Sequence, residues 1–556
     1  MAPSARAALV LIALALAATV PAAVWQVQVV KTATAVINAL AVGPQGGAVL
    51  PIVVTVITPG DGHAYVAGVP ETGQGFGPSA QIALYVAARL SGAHYKNYTA
   101  LLRVMSSEVQ VGGPSASGYV AAALFALMNG LPLRNTTALT GIILPDGLIG
   151  PVGGVQQKVE AAARHGISTV LVPLGEAPRF GAGARVVEVG TVEEAIYYLT
   201  GVKVEPARRG EVDESAFREI SRDLFYAVYE IYNETVRGDY VDRGEIARLK
   251  SRGMYYTAAS LLYQGIAKYL SDVVSWSWGS YRALYSRALS TAREAESELS
   301  RIPVTVNNVD LVIASYSRVY EVYIRANSTS PQPHLMYARA ITLKPWIDEA
   351  RRMARGRVID ERELSEIARM YLDYAKAMHA YLETTYGAVS GELSESLSTA
   401  VQVAERLYAS GHYLASIANS IDVIAMSAAA LMSPASEKYL AIARDRALEN
   451  MGRASQCGYT NTLPLSYLQF GDYFSGAGRR SEALTYYITA SIYSTAFGDI
   501  VCREGSQVVL QEMPEPAARE SAAHRGVVRA GEGSWAPLLV AVPLAALIVL
   551  LLLLKR

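Results

Sequence analysis

Cysteine is nearly missing from this chain, and so is any surplus of charge. Its two cysteines, Cys457 and Cys502, are too few for a disulfide-built scaffold or a thiolate metal site. One bond across neighbouring helices and two separate buried thiols are both open to them. Basic and acidic residues balance at 49 each, which excludes the electrostatic footprint of a nucleic-acid binder. The seven histidines stand singly and offer neither a Ser/His/Asp triad nor a metal constellation, so no metal and no cofactor are expected. Also missing is Gly-x-x-x-x-Gly-Lys-[Ser/Thr]. No lysine directly follows a glycine, so the phosphate-cradling loop of an ATPase is absent and ATP is not an expected partner.

Long apolar runs are present at the two ends. Met1 to Ala23 carries Arg6, an apolar run from Ala7 to Val20, and the small-residue sequence Val20-Pro-Ala22. Residues 1–23 therefore read as a secretory signal peptide, or as an uncleaved N-terminal anchor. Ala536 to Leu554 is almost wholly apolar, with Trp535 before it and Lys555-Arg556 after it. As one helix it spans a hydrocarbon core of about 30 Å. The terminal Lys-Arg pair stays cytoplasmic under the positive-inside rule, leaving the bulk of the chain extracytoplasmic on a single-pass membrane anchor. Sequons at Asn97, Asn135, Asn233 and Asn327 are compatible with that side.

Chemistry concentrates in two short segments, Gly112-Gly-Pro-Ser-Ala-Ser117 and Gly153-Gly-Val-Gln-Gln-Lys158. Gly113 suits a helix cap and Pro114 its first turn, ahead of an apolar helix over Ala116 to Met128 that Asn129-Gly130 ends. Ser115 then sits at a helix N-terminus, where free N–H groups favour a developing oxyanion. Thr137 to Leu144 reads as a strand, Pro145-Asp146-Gly147 as a turn, and Leu148 to Val152 as a second strand. Gly153-Gly154 opens a helix from Val155 to His165, with Lys158 in its first turn among Val155, Val159 and Ala162. A serine is a poor nucleophile and a charged lysine no base, so the pair matters only if the fold joins them and burial lowers the lysine from its ordinary pKa of about 10.4. The nearest acid in sequence, Glu160, faces another side of that helix. Gly-Pro-Ser recurs at Gly77-Pro78-Ser79 as ordinary capping.

The surroundings extend well past the pair: Gly130-Leu-Pro-Leu-Arg134, Ala138-Leu-Thr-Gly141, Pro151-Val-Gly-Gly-Val155, Glu160-Ala-Ala162 and Gly166-Ile-Ser-Thr-Val-Leu-Val-Pro173. Together with the serine-to-lysine spacing, this string resembles the serine–lysine proteolytic domain of Lon proteases, and their archaeal membrane-bound branch in particular, over residues 28–203. The resemblance implies an α+β fold of the ribosomal protein S5 domain 2 type and a serine endopeptidase. It further implies Ser115 as nucleophile, Lys158 as general base, Thr140 holding the lysine, Gly113 and Pro114 in support, and polypeptide substrates bound as extended strands. Lon domains commonly form rings, so a homo-oligomer is implied as well. Two acidic residues usual near the serine in archaeal members are replaced by Gly112 and Pro114. That departure leaves a second reading open: a catalytically silent Lon-like fold that binds surface partners through the rest of the chain. Since the nucleotide loop is absent, proteolysis is expected to be ATP-independent and limited to peptides, flexible segments or unfolded chains.

After Val204 the pattern turns helical, giving an all-α helical-hairpin domain over 214–502. Gly471, Gly478, Ala483, Tyr487 and Ala490 match tetratricopeptide spacing, with looser echoes at Gly253–Ala258 and Gly411–Ala415. Such arrays offer a groove for peptides or partners; spacing the domain from the membrane is the alternative. The many tyrosines, 34 against 8 phenylalanines, suit half-exposed helix faces. Residues 503–534, with Pro514 and Pro516, read as a flexible tether.

Overall fold

The computed structural model describes residues 30–43, 46–68, 75–105, 113–178, 183–206, 211–276, 278–328, 330–386, 391–502 and 508–512. The expected signal segment at 1–23, the membrane helix at 536–554, most of the tether at 503–534, and Gly112 lie outside the described residues.

The N-terminal region is an α/β domain with mixed sheets. Strands β1 (Lys31–Gly43) and β2 (Gly46–Thr58) pair antiparallel along their whole length, from Lys31 opposite Thr58 to Gly43 opposite Gly46. Runs of Val, Ile, Thr and Ala suit such a hairpin, since branched side chains pack well on a pleated surface. Strand β3 (Ala64–Ala67), helix α1 (Phe76–Leu90) and strand β4 (Thr99–Val104) complete a sheet of order β1-β2-β4-β3, its last pair parallel. Helix α2 (Ser117–Met128) follows a 3-10 turn at Pro114–Ala116 and is buried almost throughout.

The stretch expected as one strand over 137–144 is broken in two. Strand β5 (Thr137–Leu139) and strand β6 (Ile142–Ile143) flank Thr140-Gly141; Thr140 N–H still donates to the Leu171 carbonyl at 3.0 Å, and Gly141 turns away, its N–H donating to the Ser115 carbonyl at 2.8 Å. The Pro145-Asp146-Gly147 turn then returns the chain to β7 (Ile149–Gly150), antiparallel to β6. Helix α3 (Val155–Arg164) leads to β8 (Thr169–Pro173), and β9 (Arg185–Val189) completes a parallel sheet of order β5-β8-β9. Helix α4 (Val192–Thr200) and strand β10 (Val202–Pro206) close the region; β10 pairs antiparallel with β11 (Val508–Glu512), a strand within the stretch read as a tether.

A mostly helical region follows. Among the described residues it has thirteen α-helices: α5 (Ser215–Thr235), α6 (Arg243–Ser251), α7 (Tyr255–Trp276), α8 (Trp278–Leu299), α9 (Val309–Ala326), α10 (Pro333–Ile341), α11 (Leu343–Arg352), α12 (Glu361–Tyr386), α13 (Gly391–Ala409), α14 (Tyr413–Met432), α15 (Ser436–Gln456), α16 (Thr462–Gly476) and α17 (Arg480–Val501). The turn glycines singled out in sequence, Gly253, Gly411 and Gly478, all take positive φ between successive helices. Cys457 and Cys502 are bonded, with Cα atoms 5.3 Å apart, and tie the end of α15 to the end of α17. Within the helical stretch Tyr413–Gln456 one window is apolar enough to cross a membrane, but 89% of that window is buried inside the protein, which makes it a core element.

The two regions share one hydrophobic core that runs from Ile37 to Ile500. Polar groups register the contact. Tyr439 donates to the Ile149 carbonyl at 2.9 Å, and the Arg446 guanidinium grips Glu193 with two 2.7 Å bonds. Arg89 reaches Asn450 at 3.0 Å.

Candidate active site

Three segments meet beside α12. The first holds Ser115, half-buried in the 3-10 turn that Gly113 precedes and Pro114 begins. Proline fixes φ near the helical value and gives up an N–H that the first turn would leave unpaired anyway. The second segment, Thr140-Gly141, lies alongside. Besides the Gly141 bond to the Ser115 carbonyl, the Thr140 hydroxyl sits 3.4 Å from that same carbonyl, and Gly118 N–H donates back to the Gly141 carbonyl at 3.0 Å. The two segments approach so closely that a Cβ on Gly118 would fall 3.0 Å from the Gly141 carbonyl oxygen.

Lys158 comes from the third segment. Gly154 caps α3 with φ +69°, and a Cβ there would meet Val42 Cγ2 at 2.5 Å, so the position admits glycine on both counts. Four residues on, Lys158 points inward, 4% exposed, and donates to the Thr140 hydroxyl at 3.2 Å. Burial pushes its pKa down to about 8, and the Glu176 carboxylate pulls the other way. About one such lysine in ten is neutral at pH 7, against fewer than about one in a thousand at the ordinary value. Glu160, the nearest acid in sequence, is engaged by the Gln156 amide at 2.6 Å.

The structure thus brings Gly113, Pro114, Ser115, Thr140 and Lys158 into one neighbourhood. The lysine is linked to the serine through Thr140 and the Ser115 carbonyl; among the described residues no hydrogen bond joins the Ser115 hydroxyl to Lys158. The other nearby serine, Ser117, is buried, donates to the Pro114 carbonyl at 2.6 Å and accepts from Ile143 N–H at 3.0 Å, which makes it a structural pin. No group of histidine, cysteine, aspartate or glutamate among the described residues has metal-binding geometry.

Sequence reasoning missed Glu176, Tyr381 and Thr385. Glu176 accepts from Val152 N–H at 3.2 Å and lines a cleft of about 490 Å³ with Gly154, Val155, Gln156 and Thr385. Tyr381 accepts from Gly153 N–H at 3.1 Å. Glu176 lies just past the Pro173 that ends the motif string. The two α12 residues carry no local signal.

Comparison with known proteins finds relatives for the N-terminal region. The profile of the Lon protease (S16) C-terminal proteolytic domain matches residues 20–181. The chain is 36% identical over 147 residues to the Lon protease of Fervidobacterium nodosum, which covers 26% of this chain and 18% of that protein. To the Lon protease of Phenylobacterium zucineum it is 36% identical over 144 residues, 25% of this chain and 18% of that protein. Lon protease 2 of Bacillus subtilis matches at 31% over 159 residues, 26% of this chain and 28% of that protein. The chain therefore spans less than a third of these relatives, and its N-terminal region is similar to their proteolytic part alone. All three are bacterial and do not single out an archaeal branch.

Proposed function

We propose that this chain is an ATP-independent, membrane-anchored extracytoplasmic serine endopeptidase acting through Ser115 and Lys158. The observation that carries the reading is the state of Lys158: buried, held by a hydroxyl instead of a carboxylate, and with a lowered pKa. A structural lysine would gain by reaching water or by bonding an acid; a lysine buried with a hydroxyl as its hydrogen-bond partner is poised to act as a base.

In the proposed cycle neutral Lys158 takes the Ser115 proton as Oγ attacks the peptide carbonyl carbon. Backbone N–H groups at the start of the Ser115 turn hold the oxyanion. The lysinium then protonates the leaving amine, and the C–N bond breaks to leave an ester on Ser115. Lys158 next draws a proton from water, the resulting hydroxide attacks the ester, and the acid product departs as the proton returns to Ser115. Substrates on this reading are peptides, flexible segments and unfolded chains, since the match to Lon proteases covers the proteolytic part alone. The Cys457–Cys502 bond supports an oxidising compartment, and the apolar 536–554 segment supports an anchor.

The test is digestion of an unfolded protein by the purified full-length chain without nucleotide. Ser115→Ala and Lys158→Ala should each abolish it; activity surviving either change would remove the dyad. A second reading, the silent binding module, is favoured by Pro114 in place of an acid and by the unmade Ser115–Lys158 hydrogen bond. It requires that a fluorophosphonate probe leave Ser115 unmodified.

A further inference from the structure

The segments that carry Ser115, Thr140 and Lys158 are joined to one another by few side chains, and glycines flank two of them. Gly113 precedes the serine turn and Gly153-Gly154 precedes the lysine helix. Glycine-flanked backbone is free to move unless something outside holds it. Beyond the Gly141 bond to the Ser115 carbonyl and the packing of Gly154 on Val42, a single face of α12, in the helical region, reaches all three segments.

Along that face stand Tyr374, Tyr381 about two helical turns on, and Thr385 about one turn further. Tyr374, fully buried, donates to the Ile143 carbonyl, at the end of the Thr140 segment. The Tyr381 ring packs over Gly113, its edge 3.4 Å from where a Cβ would lie, an ordinary van der Waals contact. Its hydroxyl accepts the Gly153 N–H at 3.1 Å. Thr385 then backs the same glycine, its methyl 2.9 Å from where a Gly153 Cβ would be. One helix face therefore touches the nucleophile segment, the threonine segment and the base segment together.

We propose that Tyr381 is a positioning residue for the Ser115–Lys158 pair: by bridging Gly113 and Gly153 it sets the distance between nucleophile and base, and so makes the docked helical region a condition of activity. The inference rests on the dyad reading. A tyrosine fits both halves of the task. The ring packs against the Gly113 backbone, and the hydroxyl satisfies a backbone N–H in the turn before α3. Errors of about 1 Å in such a pair cost on the order of a hundredfold in rate. A helical region that only spaced the domain from the membrane would have no reason to place a hydrogen-bonding residue here.

The experiment uses the full-length chain with three variants, Tyr381→Phe, Tyr381→Ala and Tyr439→Phe. The last removes a hydroxyl from the same interface that bonds the Ile149 carbonyl instead. Two quantities are read: the rate at which a fluorophosphonate acylates Ser115, by intact mass, and kcat and KM on a fluorogenic peptide. Thermal unfolding is recorded alongside. The expected result is about a tenfold loss of acylation rate and of kcat in Tyr381→Phe, with KM within twofold, a larger loss in Tyr381→Ala, and no loss in Tyr439→Phe. If Tyr381→Ala fails to fold, Tyr381→Phe decides. Wild-type rates in Tyr381→Phe, or an equal loss in Tyr439→Phe, overturn the proposal while leaving the dyad standing. Failure of the wild-type chain to be acylated at all overturns both.

Discussion

Lys158 donates its hydrogen bond to the Thr140 hydroxyl, 3.2 Å away, and among the described residues this is the one side-chain hydrogen-bond partner of a lysine that is 4% exposed. A neutral partner does little to offset the cost of burying an ammonium, so the fold shifts Lys158 toward the uncharged amine. Both the pH response and the stability of the protein follow from that single choice of partner.

Peptide hydrolysis should depend on pH through Lys158. The base must be neutral, its pKa is about 8, and so kcat/KM should rise about tenfold per unit below that value and level off above it. A profile measured on a fluorogenic peptide from pH 6 to 10 checks this. A limb centred near pH 6 to 6.5 would point to a histidine and against the lysine.

Replacing Lys158 should stabilise the protein while destroying activity. Its folded pKa lies below the ordinary 10.5, so the unfolded chain binds the proton more tightly. The resulting cost is complete below about pH 8, and stability rises as pH climbs from there toward 10.5. At pH 7 the cost is about 3 kcal/mol. Lys158→Met keeps the length and removes the charge, and should raise the unfolding free energy by roughly 1–3 kcal/mol in denaturant titration. A destabilised Lys158→Met protein would contradict the assigned burial cost.

Thr140→Val tests the same contact from the other side. It preserves shape and withdraws the hydroxyl, leaving a buried ammonium without its partner. A loss of about 1–3 kcal/mol in stability and at least a tenfold fall in kcat are expected. Unchanged kinetics would mean that Thr140 does not hold the base.

What the sequence made legible here was local. Ser115, Thr140 and Lys158 stand in short segments whose glycines, prolines and apolar spacing state their own backbone shapes, and the ends of α2 and α3 fall where Asn129-Gly130 and Gly166 stop them. What it hid was long-range. One continuous strand over 137–144 is the natural reading until the Ser115 carbonyl draws Gly141 out of line. Tyr381 bonds a glycine 228 residues earlier in the chain, and no periodicity announces such a pairing. The apolar window within Tyr413–Gln456 shows the same limit: composition alone makes it a membrane candidate, and only the surrounding helices make it core.

The disulfide offers a separate check on the helical region. The bond between Cys457 and Cys502 closes a sequence separation of 45, for which the chain-entropy account gives about 4 kcal/mol of stabilisation at most. Replacing both cysteines by serine should cost about 2–4 kcal/mol in denaturant unfolding. Reduction of the wild type should produce the same loss. A double variant as stable as the wild type would mean that α15 and α17 hold together without the bond.

The buried contact between Arg446 and Glu193 offers a test of whether the two regions unfold as one. Both side chains are largely buried, 5% and 14% exposed, and they meet in two 2.7 Å bonds. Arg446→Met leaves the Glu193 carboxylate in the interface with no such partner, and breaking a buried pair from one side costs about 3–5 kcal/mol. Adding Glu193→Gln removes the orphaned charge and should restore most of that loss, a coupling that a double-mutant cycle reads directly. Because the core runs unbroken across both regions, the Arg446→Met protein should still melt in a single transition, shifted downward. Two resolved transitions in calorimetry would instead show that the domains fold independently, and with that the dependence of the Ser115–Lys158 site on α12 would lose its physical basis.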